Sequence, residues 1–235
     1  MPERERQSTS RMRHQRSIHP SGGYGPRVKL PVNCCDMPKA PPTRPSDPNR
    51  ACEPGPSILR IDRGEGEYPE TLRSRLGAGA PEALVLIGDK GLLRARKTAL
   101  FCSARTPGDA ILRAHDAAKR MRDDGVTVIS GFHSPIEKEC LQILLRGKQP
   151  IIVCPARAIQ TMRIPVAYRD AFEAGRVLFL SPFGANFKRV TEESAARRNE
   201  FVAALADMAY IPHVSPSGKT AEIAKMLRAW KVPLV

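Results

Sequence analysis

No apolar run in this 235-residue sequence approaches the roughly 20 residues that a membrane-spanning helix needs. Five arginines lie within residues 4–16, yet no apolar stretch follows them, which argues against a secretory signal. The prolines that come next are incompatible with the amphipathic helix of a mitochondrial presequence. A cytoplasmic protein without membrane contact is expected. The six cysteines form no CxxC pair, the spacing that zinc sites favour. Cys102, Cys140 and Cys154 read as small buried apolar residues of a reducing compartment. A metal site of His133, Cys140 and Cys154 is too loosely spaced to be preferred, so neither metal nor cofactor is expected. Several catalytic templates are missing as well. No GxGxxG follows a strand, no GxxxxGK[ST] occurs, and no GxSxG elbow appears. Ser217, Gly218, Lys219 and Thr220 have the ending of a phosphate-binding P-loop without its upstream glycine.

Acidic residues are also scarce, with 24 Asp and Glu against 38 Lys and Arg, a net charge of +14. Residues 1–57 hold ten basic and five acidic side chains, eleven of the 22 prolines and one aromatic residue, Tyr24. Such a segment buries too little apolar surface to offset its ordering entropy, so a disordered tail is expected there. The other +9 lies in residues 58–235, the expected folded domain, and a polyanion is the natural partner of so basic a surface.

The domain reads as alternating strands and helices. Residues 126–153 contain one complete unit: a β-branched strand at 126–129, a tight loop, a helix and a strand at 151–153. Ser134 at the N-cap, Pro135 at the first helical position and Glu137 at the third mark the helix start. Backbone N–H groups and a helix N-terminus meet at that loop, a natural seat for an anion. Ahead of this unit come a short helix from Glu70 to about Leu76 and an apolar run at 83–87 that reads as strand or helix. A strand at 98–102 follows, then a helix starting at Thr106, Pro107, Gly108 and Asp109. Behind the unit come a short helix at 165–174, a strand at 177–180 and a helix that starts at Thr191, Glu192 and Glu193. A strand at 208–212, a helix at 219–230 with Trp230 as core filler, and an edge strand at 232–235 complete the reading. The expected fold is α/β: a doubly wound, mostly parallel, Rossmann-like sheet in three layers.

Ligands of such sheets bind beyond the carboxyl ends of the strands. Five loops belong there, bearing Ser103 and Arg105; Ser130, Gly131 and Ser134; Arg157; Lys188 and Arg189; and Ser217, Gly218, Lys219 and Thr220. The run Arg197, Arg198 and Asn199 on the next helix reaches the same rim. Hydroxyl caps are ordinary helix starters, but their convergence with Arg or Lys in four of five loops points to phosphate. The plain alternative for Arg105 is a surface pair with Asp109.

These residues carry a resemblance. The stretch from Ser130 and Gly131 to Leu145, the run from Arg198 and Asn199 to Asp207, and the run from Ser217 to Ala221 keep order and spacing. So do Cys102 to Arg105 and the pair Tyr68 and Pro69. Together they are similar to the DNA-processing protein A (DprA/Smf) family over roughly residues 66–235. The family's GID is Pro135, Ile136 and Glu137 here, its AH pair is Cys140 and Leu141, and the second arginine of its RNR is Glu200. The resemblance implies a Rossmann-like domain that binds single-stranded DNA without catalysis and loads a RecA-type recombinase during natural transformation. It marks Arg105 as the arginine of a phosphate-contacting loop, and a homodimer is a further candidate state. The alternative is a nucleotide-ligand sensor, or a nucleotide hydrolase, of the same superfamily. The PGGxGT loop of its phosphoribohydrolases is absent.

Overall fold

The computed structural model describes residues 57–216 and 218–235; the expected disordered tail, except Ser57, lies outside them. Seven strands form one sheet, in the order β1-β2-β6-β5-β4-β3-β7. The strands are β1 (Ile58–Asp62), β2 (Ala83–Gly88), β3 (Lys97–Leu100), β4 (Thr127–Ser130), β5 (Ile151–Val153), β6 (Val177–Ser181) and β7 (Met208–Tyr210). The helices are α1 (Glu70–Leu76), α2 (Gly108–Asp123), α3 (Pro135–Leu145), α4 (Arg169–Glu173), α5 (Glu192–Leu205) and α6 (Lys219–Ala229). Strands β3 to β7 are parallel, whereas β2 runs antiparallel to β6 and β1 antiparallel to β2. Among the described residues no helix is long and apolar enough to cross a membrane.

Successive strand side chains point to opposite faces, so a strand covered on both sides is apolar throughout. In β4, Val128 joins the layer beneath α2, α3 and α4, while Ile129 joins the layer beneath α1, α5 and α6. Ile151 and Val153 face the first layer and Ile152 the second; Val177 and Phe179 divide from Leu178 and Leu180 in the same way. The result is a three-layer, doubly wound α/β sheet of Rossmann type.

One open alternative closes, one strand is added and two expectations change. The run at 83–87 is a strand, buried on both faces, and only its antiparallel place beside β6 settles what an aperiodic run leaves open. Strand β1 escaped the sequence pattern because it is an outer edge, with Ile61 alone fully buried. The expected strand at 232–235 shrinks to a single bridge between Leu234 and Ala209. Pro233 has no N–H to extend a ladder there. Trp230 is half-buried against the α5–α6 layer and closes the core's margin more than it fills its centre.

Ile129 sits at the centre of the sheet with no exposure. Ile129→Ala leaves a cavity that neighbouring strands cannot close, and the expected cost is about 2–5 kcal/mol. Urea unfolding checks it; a midpoint equal to that of the unaltered chain would place Ile129 outside the core.

Candidate nucleic-acid interface

The parallel strands all end on one edge of the sheet, so the loops after β3, β4, β5, β6 and β7 line a common rim. From β3 the chain steps outward through β4, β5 and β6, then returns to place β7 on the other side of β3. That reversal makes the gap between β3 and β7 the topological switch point, where sheets of this type hold ligands.

After β3, the Ser103 hydroxyl accepts the Arg105 N–H at 3.2 Å, and the Ser103 carbonyl accepts the Thr106 hydroxyl at 2.8 Å. The turn leaves Arg105 exposed. Asp109 pairs with Arg113 instead, one helical turn further on, so the surface pair with Arg105 does not form. Helix α2 carries no side-chain cap, because Pro107 occupies the N-cap and Thr106 has turned back. The expected Thr106 helix start is thereby corrected.

The loop after β4 is built differently from the expected anion seat. Glu137 is buried, and its carboxylate accepts three backbone N–H groups: Cys102 at 3.0 Å, His133 at 2.8 Å and Ser134 at 3.2 Å. The chain's own carboxylate fills the seat. Ser134 accepts the Glu137 N–H at 3.2 Å, which completes a capping box. The buried Ser130 hydroxyl donates to the Leu100 carbonyl at 2.7 Å and accepts the Phe132 N–H at 3.3 Å. Phe132 has φ 46°, a left-handed conformation that costs a bulky residue about 1–3 kcal/mol.

Arg198 completes this cluster. Only 3% of it is exposed. Its Nη1 donates to the Cys154 carbonyl at 3.1 Å and its Nε to the Asn199 side-chain oxygen at 2.8 Å. Burial pushes the guanidinium pKa down from its ordinary value, and the Glu137 charge opposes that shift. A Cβ at Gly131 would stand 1.3 Å from Arg198 Nη1, so glycine is required there by an internal side chain. Ser130, Ser134 and Arg198, all expected at phosphate, thus have partners inside the fold, as does the Asn199 side-chain oxygen, and Gly131 makes room for Arg198. Helical rotation decides between neighbours: Arg197 faces outward and Arg198 inward.

The loops after β5 and β6 behave as one piece. The Ala158 N–H donates to the Phe187 carbonyl at 2.8 Å, and the Ser181 hydroxyl to the Arg157 carbonyl at 2.8 Å. Arg157, Lys188 and Arg189 remain exposed. Phe187 is 39% exposed, packs on buried Phe183 at 5.2 Å between ring centroids, and lies under the Arg197 guanidinium at 5.5 Å. An exposed aromatic among cations is a feature that residue-by-residue reading for charge passes over.

After β7, Gly218 is the N-cap of α6, and its N–H donates to the Ser215 carbonyl at 3.0 Å; Ser217 lies outside the described residues. Lys219 is not a free rim cation: its Nζ meets Glu192 at 2.6 Å and holds that carboxyl below its ordinary pKa. Thr220 is buried, its hydroxyl without a partner among the described residues. Cys140 and Cys154 lie in opposite core layers, with His133 exposed above, so these three do not converge. Burial pushes the Cys154 thiol up to about 12.

An amide at position 137 offers one acceptor oxygen where the carboxylate offers two. Glu137→Gln therefore sets an NH2 against a backbone N–H and should cost about 1–3 kcal/mol. The measurement is the urea midpoint at neutral pH. No change would mean that the three N–H groups find other acceptors.

The model of the DNA recombination-mediator protein A family matches residues 60–228. No protein of curated function matches the chain in sequence. Among solved structures, DNA processing protein A (DprA) from Streptococcus pneumoniae is 16% identical, with a TM-score of 0.63 over 75% of this chain and 62% of that one. The chain thus spans less than two thirds of that protein's length. DNA processing protein A from Helicobacter pylori, described for its single-stranded DNA binding mode, is 19% identical, with a TM-score of 0.60 over 75% of this chain and 79% of that one. At such identities the two structures speak for the fold, and the family rests on the match across residues 60–228: this chain belongs to the DNA recombination-mediator protein A family.

Proposed function

We propose that the chain binds single-stranded DNA along the carboxyl edge of its sheet and acts in DNA processing by binding, without catalysis. The observation that carries this reading is the row of exposed cations Arg105, Arg157, Lys188 and Arg189, none in an ion pair among the described residues. Arg105 and Lys188 rise from strands three positions apart, about 14 Å at the usual interstrand spacing. One phosphate does not bridge that span, and a strand of several does. Phe187 adds an exposed ring beside these charges, and stacking on aromatic rings is how unpaired bases are commonly held. The family's description as a recombination mediator supports the finer reading: the bound strand passes to a RecA-type recombinase during natural transformation, in the cytoplasm. A homodimer is compatible with that role.

Two substitutions separate charge from stacking. Arg105→Ala removes a charge-assisted phosphate contact of about 1.5–3 kcal/mol, a tenfold to hundredfold weaker affinity, with an unchanged melting temperature. The slope of log affinity against log salt should become shallower by about 0.7 for that contact. Phe187→Ala should weaken binding by about 1–3 kcal/mol and leave the salt slope alone. Fluorescence anisotropy with labelled oligonucleotides measures both. Wild-type affinity that is independent of salt and of oligonucleotide length would instead favour a small nucleotide ligand.

A further inference from the structure

The segment after β5 is long and lacks acids: residues 154–169 hold Arg157, Arg163 and Arg169 and no Asp or Glu. The loop after β6, residues 182–191, has Lys188 and Arg189 and again no acid. Elsewhere the pattern is mixed. On α2, for example, Asp109, Asp116 and Asp123 pair with Arg113, Lys119 and Arg122.

Two clefts flank this segment. One, of about 400 Å³, has Arg157, Arg163 and Lys188 in its walls. The other, of about 450 Å³, is walled by Arg163 and Arg169, with Ile58, Met162 and Ile164 supplying apolar surface. Residues 160–163 form a wall common to both, so the two make one bent trough. It leaves the carboxyl edge at β5 and β6 and descends toward the β1–β2 end of the sheet. Among the described residues no acid lines either cleft, so the positive fields of their arginines and lysine add in a concave, partly apolar space. The side-chain oxygen of Gln160, in the common wall, is buried and has no donor among the described residues. Such a group is normally satisfied by a ligand or an ordered water. Grooves that hold single strands track the backbone with cations and pack base faces on side chains, most often aromatic ones; here Ile58, Met162 and Ile164 offer aliphatic surface in that place.

We propose that this trough is a distal subsite for single-stranded nucleic acid. Arg163 and Arg169 hold phosphates of nucleotides that have passed the rim, and the wall of Ile58, Met162 and Ile164 receives their bases. The bound strand therefore turns off the carboxyl edge near β6 and runs down the flank toward β1. This inference rests on the single-stranded DNA reading above.

The test is anisotropy with a ladder of labelled oligo-dT lengths, on the full chain and on the double variant Arg163→Ala/Arg169→Ala. Both side chains are exposed, and circular dichroism confirms that the variant folds. The shortest oligonucleotides that bind should bind both proteins equally. Wild-type affinity should keep rising with length after the variant has levelled off, ending at least tenfold apart. For long strands the salt slope should differ by about 1.4, two contacts at about 0.7 each. Superimposable length curves would overturn the subsite and leave the rim reading standing. An equal loss at every length would also overturn it, because the arginines would then belong to the rim. If wild-type protein shows no length-dependent binding at all, the single-stranded DNA reading fails, and the subsite with it.

Discussion

The middle of the sheet's carboxyl edge hangs from the buried carboxylate of Glu137. It gathers N–H groups from the end of β3 and from the loop after β4, so two neighbouring strands share one anchor. Arg198 reaches across from α5 to the end of β5 and lends the positive charge that a buried carboxylate needs nearby. Removing one member of such a set strands the others away from water, which costs far more than the net value of each bond. The chain ends of β3, β4 and β5 are therefore tied to one another within the fold itself. Exposed side chains such as Arg105 stand on a scaffold held by charge, not by the DNA they are proposed to meet.

Much of this was legible in the sequence, and the failures share a cause. Capping signals at Ser134 and Glu137 and β-branched strands covered on both sides are local patterns, and local patterns place elements well. The antiparallel β2 and the edge strand β1 depend on partners distant in sequence. Those partners carry no local mark.

The candidate site divides along the same line. The strand-end rule gathers these loops at one edge of the sheet, but it cannot say which polar residues look outward. Arg197 and Arg198 are adjacent and chemically identical, and only helical phase sends one to solvent and the other into the core. Gly131 looks like a phosphate-loop residue because the requirement is similar: no side chain where a charged group comes close. Here the charged group is the chain's own guanidinium. Phe187 and the arginines at 163 and 169 went unassigned because the roles proposed for them rest on what stands beside them.

The antiparallel insertion of β2 also bears on how the chain is made. Strand β2 pairs with β1 soon after synthesis, but its other neighbour is β6, more than eighty residues downstream. At about 5–20 residues per second the ribosome takes on the order of 5–20 s to supply it. Throughout that interval the apolar strand Ala83–Gly88 presents an open edge, the kind of surface that recruits foreign strands. The nascent β1–α1–β2 unit is thus a stretch for which chaperone protection matters, and the pairing of β2 is complete only after the crossover through α4 has delivered β6.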